Sequence, residues 1–491
     1  MGRRIDSMAH LRDGKPWMTN AVLCLLGLGL VCLARQFVVE HDHFVIGFSG
    51  VAGWSVWLYM AAVVIVMTQP VNRATFWIVI GFALAMRAMT IFAEPFLSSD
   101  IYRYVWDGVV QHAHINPYRY VPGDAKLAFL RAPHQDLFDN INRRDYARTI
   151  YPPVAQMIYW VVTLFSSTVQ GMKIAMFGFE CVTVGALLAL LRRMGRLREE
   201  ILLYAWCPLL VWEIGDAGHI DAAVMAFVML AVLSRYRGKA VWTGVFLACA
   251  VLTKFYPLVL FPALWMRRDW KMPAVMVAMA AGTYAIYSSV GTLVFGFAGG
   301  YAKEEGIDSG TRYFLLELVQ HVRGLSHLPV AAYVGFCAVV MGVMCWWAWR
   351  KATVEVCVGL EFPAHDDKTV MNGAPTVVVN GVPEFIRVAM GFAFALMLLF
   401  SPHYPWYVAW LIPFLVLVPN LPLLAYLMAF FYLFTTALAD GTIAKMFLLN
   451  RILYGVVVVA ALLQLVVGRW PMGRWFVSRE RVRSAAGENG V

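Results

Sequence analysis

The sequence predicts an all-α polytopic membrane protein, and three observations carry that prediction. Of the 491 residues, 61% are hydrophobic and only 14% are charged, against roughly 25% charged in a soluble domain; mean hydropathy is +0.66. Apolar segments of about twenty residues, the length that crosses a ~30 Å hydrocarbon core, recur from residue 19 to residue 467. The basic residues gather in short clusters between those segments. The formal charge of +10 therefore reads as a topology signal rather than as a nucleic-acid surface.

Hydropathy gives about 13–14 membrane segments. The N-terminus, MGRRIDSMAHLRDGKPW, is polar and basic, and no small-residue cleavage site follows it, so it does not read as a signal peptide. Segments 19–38 and 50–68 form a first hairpin, and 75–93 opens the main body. A polar, aromatic loop then runs from Ser98 to Pro153; loops of that length are functional or disordered, and this one is too rich in aromatics for disorder. Segment 151–167 begins with two prolines and is expected to be interfacial or re-entrant. Next come 172–192, then 201–215 and 217–234 on either side of GDAGHIDA, then 239–256. Segment 257–266 is too short to span, and Pro257 suggests a break. The remaining segments are 272–291, 329–349, 386–402, 404–419, 421–438 and 446–467. Between them lies a loop at 292–328 and a cytoplasmic insertion at 352–385 with a hairpin signal at Asn380-Gly381. The expected organisation is 1–70 as a basic segment with an added hairpin, 71–470 as the catalytic domain, and 471–491 as a cytoplasmic tail. The cysteines lie mostly in apolar stretches with no CxxC, so they read as small core residues.

With both termini in the cytoplasm, Arg73, RRMGRLR at 192–198, SRYRGK, RRDWK, Arg350-Lys351 and RERVR all fall on the cytoplasmic side. This holds provided that 151–167 does not cross. The opposite side then receives the Ser98–Pro153 loop, the turn at 216–222, the break at 253–257, the loop 292–328 and SPHYPWY at 401–407. These are the segments richest in unusual polar residues.

Asp100 stands just after an apolar segment, where a carboxylate can act as a general base; it can equally cap a helix or pair with Arg103. Asp107 and Glu94 are rivals for the base. Asp107 lies seven residues on, on the same helical face as Asp100, and two carboxylates can also hold a divalent cation. Trp106, Tyr118 and Tyr120 suit stacking on a sugar ring, with Asn116 and Asp107 bonding hydroxyls, and Tyr151 and Gln156 are further substrate-binding candidates; aromatics at a membrane interface also form ordinary belts. His219 and Asp221 lie at membrane depth, where ionisable groups mark function, although they could simply pair and close a turn. Lys254 precedes the break at Pro257 beside Tyr256 and needs a counter-ion, for which a lipid phosphate is suited, or it snorkels. His403, Trp406 and Arg103 complete the set, arginine being fitted to phosphate oxygens. Together these residues describe an outward cavity for a lipid-linked phosphate donor and a hydroxyl acceptor.

The segments SSDIYRYVWDG, INPYRYVP, TIYPPVAQ, YAWCPLLVWEIGDAGHIDA, LTKFYPLVLFPAL and SPHYPWYVAWLIP carry a resemblance. They cover roughly 75–420, and the chain resembles the GT-C superfamily of integral membrane glycosyltransferases. Within it, the bacterial polyprenol-phosphate-mannose-dependent mannosyltransferases are the nearest in pattern. The resemblance implies a GT-C-like helical bundle whose first large extracytoplasmic loop holds interfacial helices and the catalytic carboxylate, here Asp100. It implies a polyprenyl-phosphate sugar donor, inversion at the donor carbon, a lipid or glycan acceptor, and a place in the cell (inner) membrane. Some relatives use a divalent metal; no second acidic motif calls for one here, so no cofactor is assigned. The hairpin 19–68 and the stretch YAKEEGIDSGTRYF depart from the pattern. A solute transporter and a lipid-carrier ligase are the rival expectations, but a transporter explains the long aromatic loop poorly.

Overall fold

The computed structural model describes residues 15–39, 47–266, 269–355, 382–439 and 445–467. The expected hairpin at Asn380-Gly381 and the tail 471–491 lie outside the described residues, as does most of the 352–385 insertion. Among the described residues every regular element is helical.

Three helices open the chain: α1 (Pro16–Val39), α2 (Phe48–Thr68) and α3 (Arg73–Ile91). The α1–α2 hairpin is not a detached appendage, since α1 packs along α3 as well as along α2. Asn72 starts α3 by accepting from the Thr75 amide (3.1 Å) while Thr75 Oγ1 accepts from the Asn72 amide (3.0 Å), a reciprocal cap. Phe37 and Phe48 meet Trp212 edge-on at 4.8 and 5.3 Å, which ties the hairpin to the middle of the chain.

Next come α4 (Asp100–His112), α5 (Pro153–Phe165) and α6 (Val169–Arg193). The 13 residues of α5 rise only about 20 Å, short of a ~30 Å core. Instead α5 lies against α4. The stretch Pro208–Asp216 then meets α7 (Asp221–Tyr236) at a bend of 119°, with a π-turn over Val211–Asp216. Such turns widen a helix locally and recur at functional sites. α7 is the central helix, buried along most of its length between α6, α8 (Ala240–Val251) and the turn Pro405–Leu411. α9 (Lys271–Ile286), α10 (Ala298–Glu304), α11 (Val330–Glu355), α12 (Glu384–Phe400), α13 (Leu421–Phe430) and α14 (Met446–Val467) complete the bundle.

Among the described residues six helices are long and apolar enough to cross a membrane, or up to eight if each of the two bent pairs counts as one span. The hydropathy expectation is about 13–14. Breaks account for much of the difference, and α8 and α12 fall short by length, at 12 and 17 residues. Segment 201–215 divides into short helical pieces. Pro257 and Pro262 cut 257–266 into Tyr256–Leu260 and Phe261–Leu264, because each proline removes an amide donor. Pro405 and Pro413 do the same to 404–419, giving Pro405–Leu411 and Ile412–Leu417. α11 turns Phe336, Val339, Val343 and Trp346 outward, the composition of a lipid-facing surface. Inside the bundle Arg87 grips Glu180 through Nε (3.3 Å) and Nη2 (2.9 Å). The architecture is that of an all-α polytopic membrane protein.

Candidate active site

A cavity of about 240 Å³ opens between the start of α4, the segment 142–151, the end of α10 and the loop 404–407. Asp100 is the first residue of α4. Its amide donates to Ser98 Oγ (3.2 Å), which starts the helix and fixes the side chain at the cavity wall. Asn142 Nδ2 donates to Asp100 Oδ1 (2.9 Å) and to Ser99 Oγ (3.2 Å). Among the described residues nothing bonds Oδ2. The bend before α7 presses on the same helix: Gly218 has φ of +68°, and Ile101 Cδ1 occupies the space its Cβ would need.

Asp107 has a different position. Its Oδ1 accepts from Arg103 Nε (2.8 Å) and its Oδ2 from Gln156 Nε2 (2.9 Å). Both oxygens are engaged and the residue is 1% exposed, so it is not a second base and does not form a cation site with Asp100. Gln156 also donates to Thr149 Oγ1 (2.8 Å), and Arg103 Nη1 to the Ala147 carbonyl (3.1 Å). This network bolts α4 to α5 and to residues 147–149. Glu94, the other rival, accepts from Tyr102 (3.4 Å) away from the cavity lining.

Several residues expected to touch a sugar are packing residues instead. Trp106 is buried against Phe138. Tyr118 donates to the Tyr151 carbonyl (2.7 Å). Asn116 donates to the Tyr287 carbonyl (2.9 Å) and accepts from the Tyr118 amide (3.1 Å). None of them, nor Gln156, lines the cavity, whereas Arg103, Tyr151, Lys254 and Trp406 do. An aromatic that packs the loop and one that faces the cavity sit at similar spacing, so the residue pattern alone does not separate them.

Four cations line the cavity, Arg103, Arg143, Arg148 and Lys254, against the carboxylates Asp100 and Glu305. Lys254 has a protein counter-ion. Its Nζ donates to Asp221 Oδ2 (2.5 Å), and Tyr256 donates to Asp221 Oδ1 (2.6 Å). Arg143 pairs with Glu304 (2.6 Å); burial pulls against its charge, and the bond to Glu304 raises its pKa all the same. Arg148 bonds the Arg119 carbonyl (3.3 Å) and has no carboxylate partner among the described residues.

His219 does not pair with Asp221. Its Nε2 lies 3.5 Å from Glu213 Oε2, both side chains are fully buried, and the ring stacks on Trp406 at 4.2 Å. Trp406 in turn stacks on Tyr404 at 4.6 Å, so the indole already has two ring partners and stands as a wall rather than a free face. His403 is outside the cavity lining; burial and the nearby Arg312 push it down to about 4. Sequence reasoning missed Asn142, Arg143, Arg148, Tyr301, Glu305 and Tyr407, all cavity-lining. The dense run NRRDYAR was the available signal for the first three. For Arg143 in particular, φ of +55° marks a strained backbone that no sequence pattern shows.

A family model described as glycosyltransferase family 87 matches residues 149–360, a stretch that begins at the cavity wall and runs through α5 to α11. Asp100 lies outside it, while Tyr151, Lys254, Tyr301 and Glu305 lie inside. Comparison with curated proteins and with solved structures found no match. The match over 149–360, less than half of the chain, is to a family of membrane glycosyltransferases of the GT-C type, and the helical bundle, with at least six membrane-length helices among the described residues, agrees with that likeness.

Proposed function

We propose that the chain moves a sugar, with mannose favoured, from a polyprenyl-phosphate donor to a hydroxyl of a lipid or glycan acceptor. The reaction takes place on the extracytoplasmic face of the cell (inner) membrane, both termini being cytoplasmic, and Asp100 is the general base. One observation carries this reading: Asp100, with Oδ2 unengaged among the described residues, lines the same cavity as Arg103, Arg143, Arg148 and Lys254. A base beside lining cations, of which Arg148 has no carboxylate partner among the described residues, suits a reaction that takes a proton from one substrate and leaves negative charge on another.

The acceptor hydroxyl gives its proton to Asp100 Oδ2 as its oxygen attacks the anomeric carbon. The bond from that carbon to the phosphate oxygen breaks on the opposite face, which inverts the configuration, and polyprenyl phosphate leaves. Its growing charge is met by Arg148 and Lys254, cations already held in place and therefore worth more than mobile solvent. Asn142 aims the base. The network of Arg103, Asp107 and Gln156 keeps α4 in register with the cation-bearing segment. The sidedness rests on the basic clusters, which fall on one side when α5 does not cross.

The test is a donor panel in lipid nanodiscs. Short-chain polyprenyl-phosphate mannose, glucose, galactose and arabinose are supplied with a host lipid extract, and released polyprenyl phosphate is followed. Asp100→Asn should lower turnover by roughly 10²–10⁴-fold and leave donor binding near that of the unmutated chain. Near-normal transfer by that variant would remove Asp100 as base. Release from no donor, beside binding of a soluble solute, would favour a transporter.

A further inference from the structure

The cavity has a second carboxylate that the proposed reaction leaves without a task. Glu305 is 6% exposed. It is paired through Oε2 with Arg312 Nη1, and Arg312 is itself 1% exposed and lies over the Phe400 ring at 4.3 Å. Nε and Nη2 of Arg312 have no hydrogen-bond partner among the described residues. An ion pair buried this way is costly and weak as a stabilising device, so a packing role explains it poorly. Among the described residues no group bonds Glu305 Oε1, and Glu305 lines the cavity. An acceptor oxygen is thus held at the cavity wall by a cation behind it. Around it stand Tyr301 and Tyr407, whose hydroxyls bond each other, and Tyr404, whose phenol feels the charges of Glu305, Arg143, Asp100 and Arg312.

A carboxylate oxygen beside aromatic rings recognises a sugar hydroxyl, and the division of labour in the cavity leaves that part vacant. Asp100 faces the acceptor proton and the cations face the phosphate, so the sugar ring lies between them, against Tyr404. We infer that Glu305 is the specificity-determining residue for the transferred sugar, with Oε1 accepting a hydrogen bond from one ring hydroxyl and Arg312 fixing the direction of that bond. This inference rests on the proposed transfer from a polyprenyl-phosphate donor. A site built around a substrate hydroxyl rejects the analogue that lacks it far more strongly than an apolar pocket rejects a wrong shape.

The experiment is a coupling cycle. The full chain in nanodiscs is given short-chain polyprenyl-phosphate mannose and glucose, the 3-, 4- and 6-deoxy form of each and their shared 2-deoxy form, and kcat/KM is measured. Glu305→Ala is compared with the unmutated chain. Because Glu305→Ala strands the buried Arg312 charge, the same panel is run on Glu305→Met combined with Arg312→Met, which removes both partners. The unmutated chain should reject one deoxy donor by roughly 10²-fold or more, and the variants should treat that donor and its parent alike. Discrimination that survives in the variants overturns the inference, as does an unmutated chain that uses every deoxy donor at the parent rate. If the unmutated chain transfers from none of the four parent donors, galactose and arabinose included, the transfer reaction itself is refuted and this inference falls with it.

Discussion

Replacing Gly296 with alanine would set a Cβ 1.7 Å from the carbonyl oxygen of Thr149. That oxygen is backbone and cannot rotate away. Bringing the contact to 3.0 Å, below which real Cβ atoms essentially never come, requires the two segments to part by about 1.3 Å. The segments concerned are two cavity walls: Thr149 and Ile150 on one side, Phe297 and the helix leading to Tyr301 and Glu305 on the other. Misplacing catalytic groups by about 1 Å can cost 10²-fold in rate. Gly291 supplies the control. It has φ of 58° and ψ of −132°, against 57° and −135° for Gly296, but a Cβ on Gly291 would meet nothing within 4 Å. Both alanine variants thus share a backbone strain of roughly 1–3 kcal/mol, and only one has the clash. We expect both to melt at lower temperature. Gly296→Ala should also lose roughly 10²-fold in kcat/KM, while Gly291→Ala stays within a few-fold of the unmutated chain. Equal kcat/KM for the two variants would refute the reasoning that the Gly296–Thr149 approach sets the width of the cavity.

The ion pairs and the buried histidine respond to substitution in distinct ways. Asp107→Asn leaves Arg103 buried without a counter-ion, which should cost roughly 3–5 kcal/mol and appear as a fall in thermal stability, whereas Asp100→Asn should melt near the unmutated chain. Lys254→Met removes a charge-assisted donor worth about 1.5–3 kcal/mol, so donor Kd should rise about 10–10²-fold; an unchanged Kd would take Lys254 out of the phosphate site. His403 is held at about 4, first by burial and then by Arg312, below the ~6.5 of a free histidine. Its folded pKa lies below its unfolded one, so the stability it contributes is complete above about pH 6.5 and is lost as pH falls toward 4. The loss is up to about 3 kcal/mol, and His403→Gln should flatten that limb of the pH–stability curve.

How far the sequence can be read depends on what each residue's signal consists of. Membrane class and helical content come from composition and run length, and a stretch such as Met446–Val467 declares itself. The span count does not, because hydropathy cannot separate one straight helix from two short pieces of the same composition. Pro257, Pro262, Pro405 and Pro413 mark breaks of this kind, and reading each as a donor removed from a helix brings the count down. Within the site, Asp100 and Lys254 stand out because an isolated charge beside apolar sequence is rare. Trp106 and Tyr118 stand out equally and are packing residues. A side chain's direction depends on the phase of a short helix and on a loop path that the pattern does not contain. Glu305 and Arg148 are hidden for the opposite reason: in YAKEEG and NRRDYAR each is one charge among several, and only the fold shows which one faces inward.

The family match begins at residue 149 and the proposed base lies at residue 100, so the base and the rest of the site belong to different parts of the chain. What joins them is the buried network. Gln156, inside the matched stretch, holds Asp107 and Thr149 at once, and Asp107 holds Arg103 one turn beyond Asp100. Each bond is side chain to side chain and buried, so the distance from base to cation-bearing segment is set by a rigid bracket rather than by the long loop between residues 113 and 148. That explains why Asp107 and Gln156 sit among the motif residues while making no contact with the cavity. It also separates two outcomes: a change at Asp100 should remove chemistry from an intact cavity, whereas a change at Asp107 should loosen the cavity from an intact base. Measuring donor affinity and turnover on the same two variants distinguishes them, since only the second should weaken donor binding.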